Sequence, residues 1–404
     1  MKSFSLIYFS VALMLVFSSC EDGHHAILTP SDFDFDGEIG SAGAEIQQID
    51  STTFRITLDH APGHPTWPNK LNFHIRQNAQ GKRLTIIVEG PPDYSFNEYF
   101  QSWSYDMENW HPIQWEAGYQ VSPERDTLRF PQFEQDEVWV GTQVPMTYEQ
   151  VESMLGEALQ SRYVTMDTLG QSLGGRNLYR VRITDPDSDI PESQRWVHYF
   201  ANQHPGEHNS QWRMVGMVEW LLSEAAAEFR RRSICHFVPM MSPDGPHNGW
   251  YRVNAEGVDM NRSYRPQGSD SSQAHEAFIY QRDLEKLMQS ESPVTTIWSM
   301  HTWQGPVEPL IRPGPEFGTQ LGSWQDFRDI IEQHDTSDLI EPLKTRQGTP
   351  GYGPVSWSSG PNKQFGITSI LCEGAGNIYT KAENKESGRV LMRSIADFYT
   401  APYN

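Results

Sequence analysis

His204 and Glu207 stand three residues apart in the stretch HPGE, directly after a short apolar run and with a Pro-Gly turn between them. That spacing puts an imidazole and a carboxylate one turn apart, near enough to share a metal ion. Alone, H-x-x-E is a weak signal, since a chain of this composition should contain about one by chance. A catalytic zinc takes three protein ligands and leaves a fourth position open. The third ligand must come from far away in the chain. His301 is the leading candidate because it ends the apolar run VTTIWSMH. His208 adjoins the motif but lacks its spacing.

Further along, beyond SPDG at Ser242–Gly245, WYR at Trp250–Arg252 and GVDMNR at Gly257–Arg262 each supply a guanidinium. Asn261 and Arg262 form a fork suited to a carboxylate, the guanidinium gripping it through two parallel N–H groups. Arg252, if aimed at a scissile carbonyl, would stabilise the oxyanion as it forms. Each has an ordinary alternative: Arg262 as a loop arginine on the surface, Arg252 as an ion-pair partner of Glu256 or Asp259. Metal-assisted amide hydrolysis also needs a proton acceptor and a donor for the leaving amine. Glu373 closes the apolar run GITSILCEG, where side chains alternate, so Ser369, Leu371 and Glu373 share a face. A carboxylate there is costly to bury unless it is paired or used.

These residues need elements to carry them. From about residue 50 to 142, TFRITLDH, KLNFHIRQ, KRLTIIVEG, DTLRF and EVWVGTQV are short, near-alternating runs punctuated by Gly, Pro, Asn and Asp. That pattern predicts an antiparallel β-sandwich. A helix over Thr147–Leu159 leads into a region where strands and helices alternate. Strands are predicted at Trp196–Phe200, Ile234–Met241, Val294–Met300 and Ile367–Cys372. Helices are predicted at Trp212–Ala227, Gln273–Gln289, Trp324–His334 and Ser387–Tyr399. Such alternation predicts an α/β domain with a mixed, mainly parallel sheet covered by helices on both faces. His204, Asp244, His301 and Glu373 all fall at or just beyond predicted strand ends, where ligands bind in such sheets.

The chain has 404 residues and a formal net charge of −21, which excludes nucleic acid and anionic lipid surfaces as partners. Lys2, the apolar run Leu6–Phe17 and Ser18-Ser19-Cys20 read as a secretory signal, too short to span a bilayer. Small residues before Cys20 resemble a bacterial lipoprotein signal, which implies lipid on that thiol, a place in the cell envelope, and membrane attachment through the lipid alone. Of three cysteines, Cys235 and Cys372 remain, in apolar runs, and are expected to be unpaired. The divisions expected are signal peptide 1–19, linker 20–45, β-sandwich domain 46–145 and catalytic domain 146–404.

Taken together, HPGE, SPDG, WYRVNAEGVDMNR, SMH and SILCEG resemble the zinc carboxypeptidases of the carboxypeptidase A superfamily, nearest its cytosolic, deglutamylase-like branch. The β-rich segment followed by VPMTYEQVESML resembles the small β-domain that this branch carries before its catalytic domain. The resemblance spans about residues 45–400. It implies a carboxypeptidase-like fold and one zinc per chain, held by His204, Glu207 and His301. It further implies Arg252 polarising the carbonyl, Asn261 and Arg262 holding the terminal carboxylate, and Glu373 as general base. Tyr352 is the nearest match to the family's mobile tyrosine, although its spacing to Glu373 departs from the pancreatic pattern. The lipoprotein-like start also departs from the cytosolic branch and points to peptide or peptidoglycan stem-peptide substrates. Two other readings stand beside this one: an aspartoacylase-like zinc deacylase and a non-catalytic binding lipoprotein of the envelope.

Overall fold

The computed structural model describes residues 27–400 apart from 38, 66–68, 91–99, 114–124, 304–309, 313–323, 338, 340–352 and 377. Cys20, Tyr352 and the expected signal segment lie outside the described residues.

Among the described residues, nine strands precede residue 143: β1 Phe33–Asp34, β2 Glu45–Gln48, β3 Thr53–Thr57, β4 Phe73–Ile75, β5 Arg83–Glu89, β6 Gln101–Ser104, β7 His111–Ile113, β8 Arg125–Gln132 and β9 Val138–Thr142. They form a five-stranded sheet, β1-β4-β9-β6-β7, and a four-stranded sheet, β2-β3-β5-β8. Alternation along each strand gives every sheet one apolar face. Phe54, Ile56, Ile86 and Leu128 of one sheet share a buried cluster with Phe73, Ile75, Val138 and Val140 of the other. The expectation of purely antiparallel pairing fails at one place: β3 and β5 run parallel, with Thr53 opposite Thr85 and Thr57 opposite Glu89. The chain makes β4 in the other sheet between them, and a strand that returns after such a crossover enters in the same direction.

Helix α1 (Tyr148–Ala158) begins one residue after the expected Thr147, which is its N-cap. The Thr147 hydroxyl accepts from Gln150 N at 3.1 Å, and the Gln150 amide oxygen accepts from Thr147 N at 3.0 Å. Beyond it lie β10 (Val164–Gln171), β11 (Asn177–Ile183), β12 (Trp196–Asn202), α2 (His208–Leu222), α3 (Ala227–Arg232), β13 (Ser233–Val238), α4 (Gly245–Asn248), α5 (His275–Met288), β14 (Thr296–Trp303), β15 (Leu310–Arg312), α6 (Trp324–His334), α7 (Gly360–Phe365), β16 (Thr368–Ala375) and α8 (Lys381–Thr400). The seven-stranded sheet has the order β10-β11-β13-β12-β14-β16-β15. Its middle, β13-β12-β14-β16, is parallel, while β10, β11 and β15 pair antiparallel at the edges, so the sheet is mixed with a parallel centre.

Both faces are covered. Phe200, Phe237, Trp298 and Ile370 pack beneath α2, α6 and α8, while Val197, Tyr199 and Ile297 pack beneath α5. Helices α2 and α8 cross at Gly216 and Gly388, where an added Cβ would overlap the backbone of the opposite helix. Cys235 on β13 and Cys372 on β16 are buried and unpaired.

Candidate metal and carboxylate site

The parallel strands β12, β14 and β16 end side by side, and the site forms beyond their carboxyl ends. After Asn202 the chain leaves the sheet, turns through His204–Glu207 and enters α2. The orphan N–H groups at the start of α2 are met from elsewhere. His208 N donates to Gln143 Oε1 at 3.2 Å and Ser210 N donates to Thr302 Oγ1 at 2.9 Å. Glu207 sits at the N-cap of α2 without capping it, so its carboxylate is available to the site.

His204, Glu207 and His301 are each about 2% exposed or less, and one ligand atom from each lies within 4.8 Å of the others. His204 Nδ1 is 2.7 Å from Glu207 Oε1, His301 Nδ1 is 2.9 Å from Glu207 Oε2, and the two Nδ1 atoms are 3.1 Å apart. Nitrogens held about 2.0–2.1 Å from a tetrahedral zinc stand about 3.3 Å from one another, so the donor set and its spacing fit that ion. The opposite ring nitrogens are held from behind. His204 Nε2 is 3.0 Å from Asp259 Oδ1, and His301 Nε2 lies 3.0 Å from Ser299 Oγ and 3.1 Å from Asn261 Nδ2. The Asp259 carboxylate can only accept, so it holds a proton on His204 Nε2 and leaves Nδ1 to face a metal. Glu207 is steadied by Thr302 N at 3.0 Å and by the Tyr251 hydroxyl at 3.4 Å.

Electrostatics follow from burial and from crowding of opposite charges. Burial alone would raise the Glu207 carboxyl, but His204 and His301 override it and hold it well below the usual range. Burial and Arg252 oppose a proton on His204, yet Glu207 and Asp259 outweigh them and raise it. Burial pushes His301 down to about 4. Glu373 behaves differently: burial first, then the Glu207 charge, push it up to about 8. It sits directly opposite His301 in the β14–β16 register and makes no hydrogen bond among the described residues. A carboxyl with a raised pKa beside a metal-type cluster is the arrangement expected of an acid–base group.

The structure brings His204, Glu207, Arg252, Asn261, His301 and Glu373 into one neighbourhood. Arg252 Nε donates to Asp259 Oδ2 at 2.7 Å, which is one of the ion pairs the sequence allows. Asn261 turns its amide toward the metal cluster, with Nδ2 on His301 and Oδ1 accepting from Trp357 N at 2.9 Å. Arg262 donates from Nη1 to the Asn261 carbonyl at 2.9 Å. His208 faces Gln211 and Met146, away from the cluster, in keeping with its spacing. Sequence reading missed Asp259 as an orienting group, although it lies two residues before Asn261 in GVDMNR. It also missed Ser299, Tyr251 and Thr302, which become partners only through folding.

The fold and the site define a carboxypeptidase-like α/β protein with a candidate zinc centre. The family model of Peptidase M14, zinc carboxypeptidase, matches residues 153–300. Over 183 residues the chain is 33% identical to cytosolic carboxypeptidase 2 of Danio rerio, covering 43% of this chain and 25% of that protein. For cytosolic carboxypeptidase 2 of Homo sapiens the figures are 30% over 183 residues, 43% of this chain and 20% of that one. The match thus spans a quarter or less of the length of these curated relatives. A metallo-carboxypeptidase from Burkholderia cenocepacia has the same fold, with a TM-score of 0.73 at 17% identity over 91% of this chain and 98% of that one. A Pseudomonas aeruginosa metallo-carboxypeptidase in complex with (2-guanidinoethylmercapto)succinic acid gives 0.66 at 20% identity, over 90% and 98%. At these identities the two structures speak to fold alone. The family match and the relatives support the zinc carboxypeptidase superfamily for the segment they match.

Proposed function

We propose that this chain is a zinc-dependent metallocarboxypeptidase that removes the C-terminal residue from peptides. The observation that carries the reading is the convergence of His204 Nδ1, Glu207 and His301 Nδ1 next to the carboxyl of Glu373, which makes no hydrogen bond among the described residues. One zinc per chain, bound by those three residues, would supply a Lewis acid and lower the pKa of water in the site. Glu373 is the proton acceptor and later the donor to the leaving amine. The Arg252 guanidinium, oriented by Asp259, stabilises charge developing on the carbonyl oxygen. Arg262, with Asn261 beside it, holds the free carboxylate of the substrate.

The β-sheet segment to about residue 145 is proposed as a small sandwich domain ahead of the catalytic domain. Cys20 is proposed as a lipidation site, which places the enzyme in the bacterial cell envelope with peptide or peptidoglycan stem peptides as substrates. Tyr352 stays a candidate substrate-binding residue on sequence grounds.

A matched pair of peptides, one with a free C-terminal carboxylate and one amidated, tests the reading. A charge-assisted contact to the carboxylate contributes roughly 1.5–3 kcal/mol. Arg262→Ala should therefore lower kcat/KM for the acid about ten- to several-hundred-fold, since about 1.4 kcal/mol is tenfold. It should hardly change the already poor turnover of the amide. Equal cleavage of acid and amide by the unaltered protein would sink the carboxypeptidase reading in favour of an endopeptidase or deacylase.

A further inference from the structure

The turn that carries two of the three candidate ligands is gripped from the other half of the molecule. Lys70 lies just before β4, 134 positions from His204 in sequence, and only 7% of it is exposed. Its ammonium donates to the carbonyl of Gly206, the residue next to Glu207, and lies 5.4 Å from the ring centroid of Tyr251. Lys70 N donates to Gly249 O at 2.8 Å, and the Ser41 hydroxyl donates to Lys70 O. Gly206 N in turn donates to Tyr251 O at 3.0 Å. A Cβ on Gly206 would stand 2.6 Å from Lys70 Cε and 2.7 Å from Tyr251 Cα, so the turn is wedged between the two.

We propose that Lys70 is a positioning residue for the metal centre: by clamping the Gly206 carbonyl it fixes the turn that sets the separation of His204 and Glu207. The inference rests on the zinc reading of that site. The clamp reaches Glu207 by a second route, because the ring beneath the ammonium belongs to Tyr251, whose hydroxyl is 3.4 Å from Glu207 Oε1. Burying an ammonium is costly, and a methionine of similar length would fill the same space without that cost. What methionine lacks is the set of N–H donors that reach the carbonyl. The supporting partners behind metal ligands typically govern affinity by about 10–100-fold. An opposite effect is built in as well, because a nearby cation repels a divalent ion. The sign of the change therefore separates the two roles.

The test uses the full chain with Lys70→Met, Lys70→Gln and, as a control, His64→Ala. His64 Nε2 lies 2.5 Å from Gly257 O, a contact between the same two halves that does not touch the turn. Zinc affinity is read by competition with a chelator of known strength, beside the melting temperature of the metal-free protein. The clamp predicts a loss of about ten- to a hundredfold in zinc affinity for both Lys70 variants, and wild-type affinity within about threefold for His64→Ala. Unchanged or tighter zinc binding in the Lys70 variants overturns the proposal. So does an equal loss in His64→Ala, which would assign the effect to contact between the halves in general. If one Lys70 variant does not fold, the other gives the reading. Failure of the unaltered protein to take up zinc would instead overturn the proposed function.

Discussion

At the scale of residues, the candidate site separates into groups that hold and a group that reacts. His204, Glu207 and His301 turn one polar face toward one another and are held from behind, whereas the Glu373 carboxyl makes no hydrogen bond among the described residues. Substitution should reproduce that division. His301→Ala should abolish stoichiometric zinc uptake, read by metal analysis after gel filtration. Glu373→Gln should keep zinc and lower kcat by about 10²–10⁴-fold, the usual worth of a positioned acid–base group. Zinc loss in Glu373→Gln would make Glu373 a ligand and move the base elsewhere. Protons compete for the same atoms. In the metal-free pocket His204 keeps its proton above the ordinary imidazole range, because Glu207 and Asp259 outweigh burial and Arg252. Zinc must displace that proton, so affinity is full above the raised pKa and should fall about tenfold per pH unit below it. Chelator competition at three pH values between about 5.5 and 7.5 checks this, and a flat profile would mean His204 is neutral throughout.

At the scale of elements, sequence was most informative where side-chain pattern and backbone signal agreed. The helix over Trp324–His334 appears with its predicted bounds, and α1 differs by one residue at each end because TYEQ caps it. The strands that end at the site were visible as apolar runs, since a parallel centre buried on both faces needs them. Helix α2 was placed four residues late, at Trp212 rather than His208. Its first turn is polar, HNSQ, and is buried by contacts with Gln143 and Thr302 that no local pattern announces. Strands β10 and β11 were overlooked altogether. Their alternation flanks a Gly174-Gly175 turn, so the hairpin signal was present. Lys70 and the bond from Asp259 to His204 were beyond reach, because their value lies in partners 136 and 55 positions away. The α2–α8 crossing was equally unreadable, since both glycines fall inside predicted helices but nothing local says that the two backbones touch there. Gly388→Ala should lower stability by about 1–3 kcal/mol through overpacking, despite alanine's better helix propensity. Urea denaturation measures it, and a stabilised variant would show that the helices separate at little cost.

At the scale of the whole molecule, the β-sheet half and the α/β half meet around the turn that carries His204 and Glu207 rather than at a distant surface. Lys70 reaches Gly206 and Gly249, His64 reaches Gly257, and Gln143 accepts from His208 N. Each of those partners is in or beside a segment that carries a candidate site residue. A ligand that binds only the folded site stabilises it by RT ln(1 + [L]/Kd), about 2.7 kcal/mol at a hundredfold excess over Kd. If the halves unfold as one unit, both must gain that amount. Trp103 and Trp139 report on the first half, and Trp298 and Trp357 on the second, so single-tryptophan variants can follow each separately. Zinc at about a hundred times its Kd should shift both fluorescence transitions in guanidinium by the same free energy. A first-half transition indifferent to zinc would mean the two halves are independent units, and the contacts at Gly206 and Gly257 would then be too weak to carry coupling.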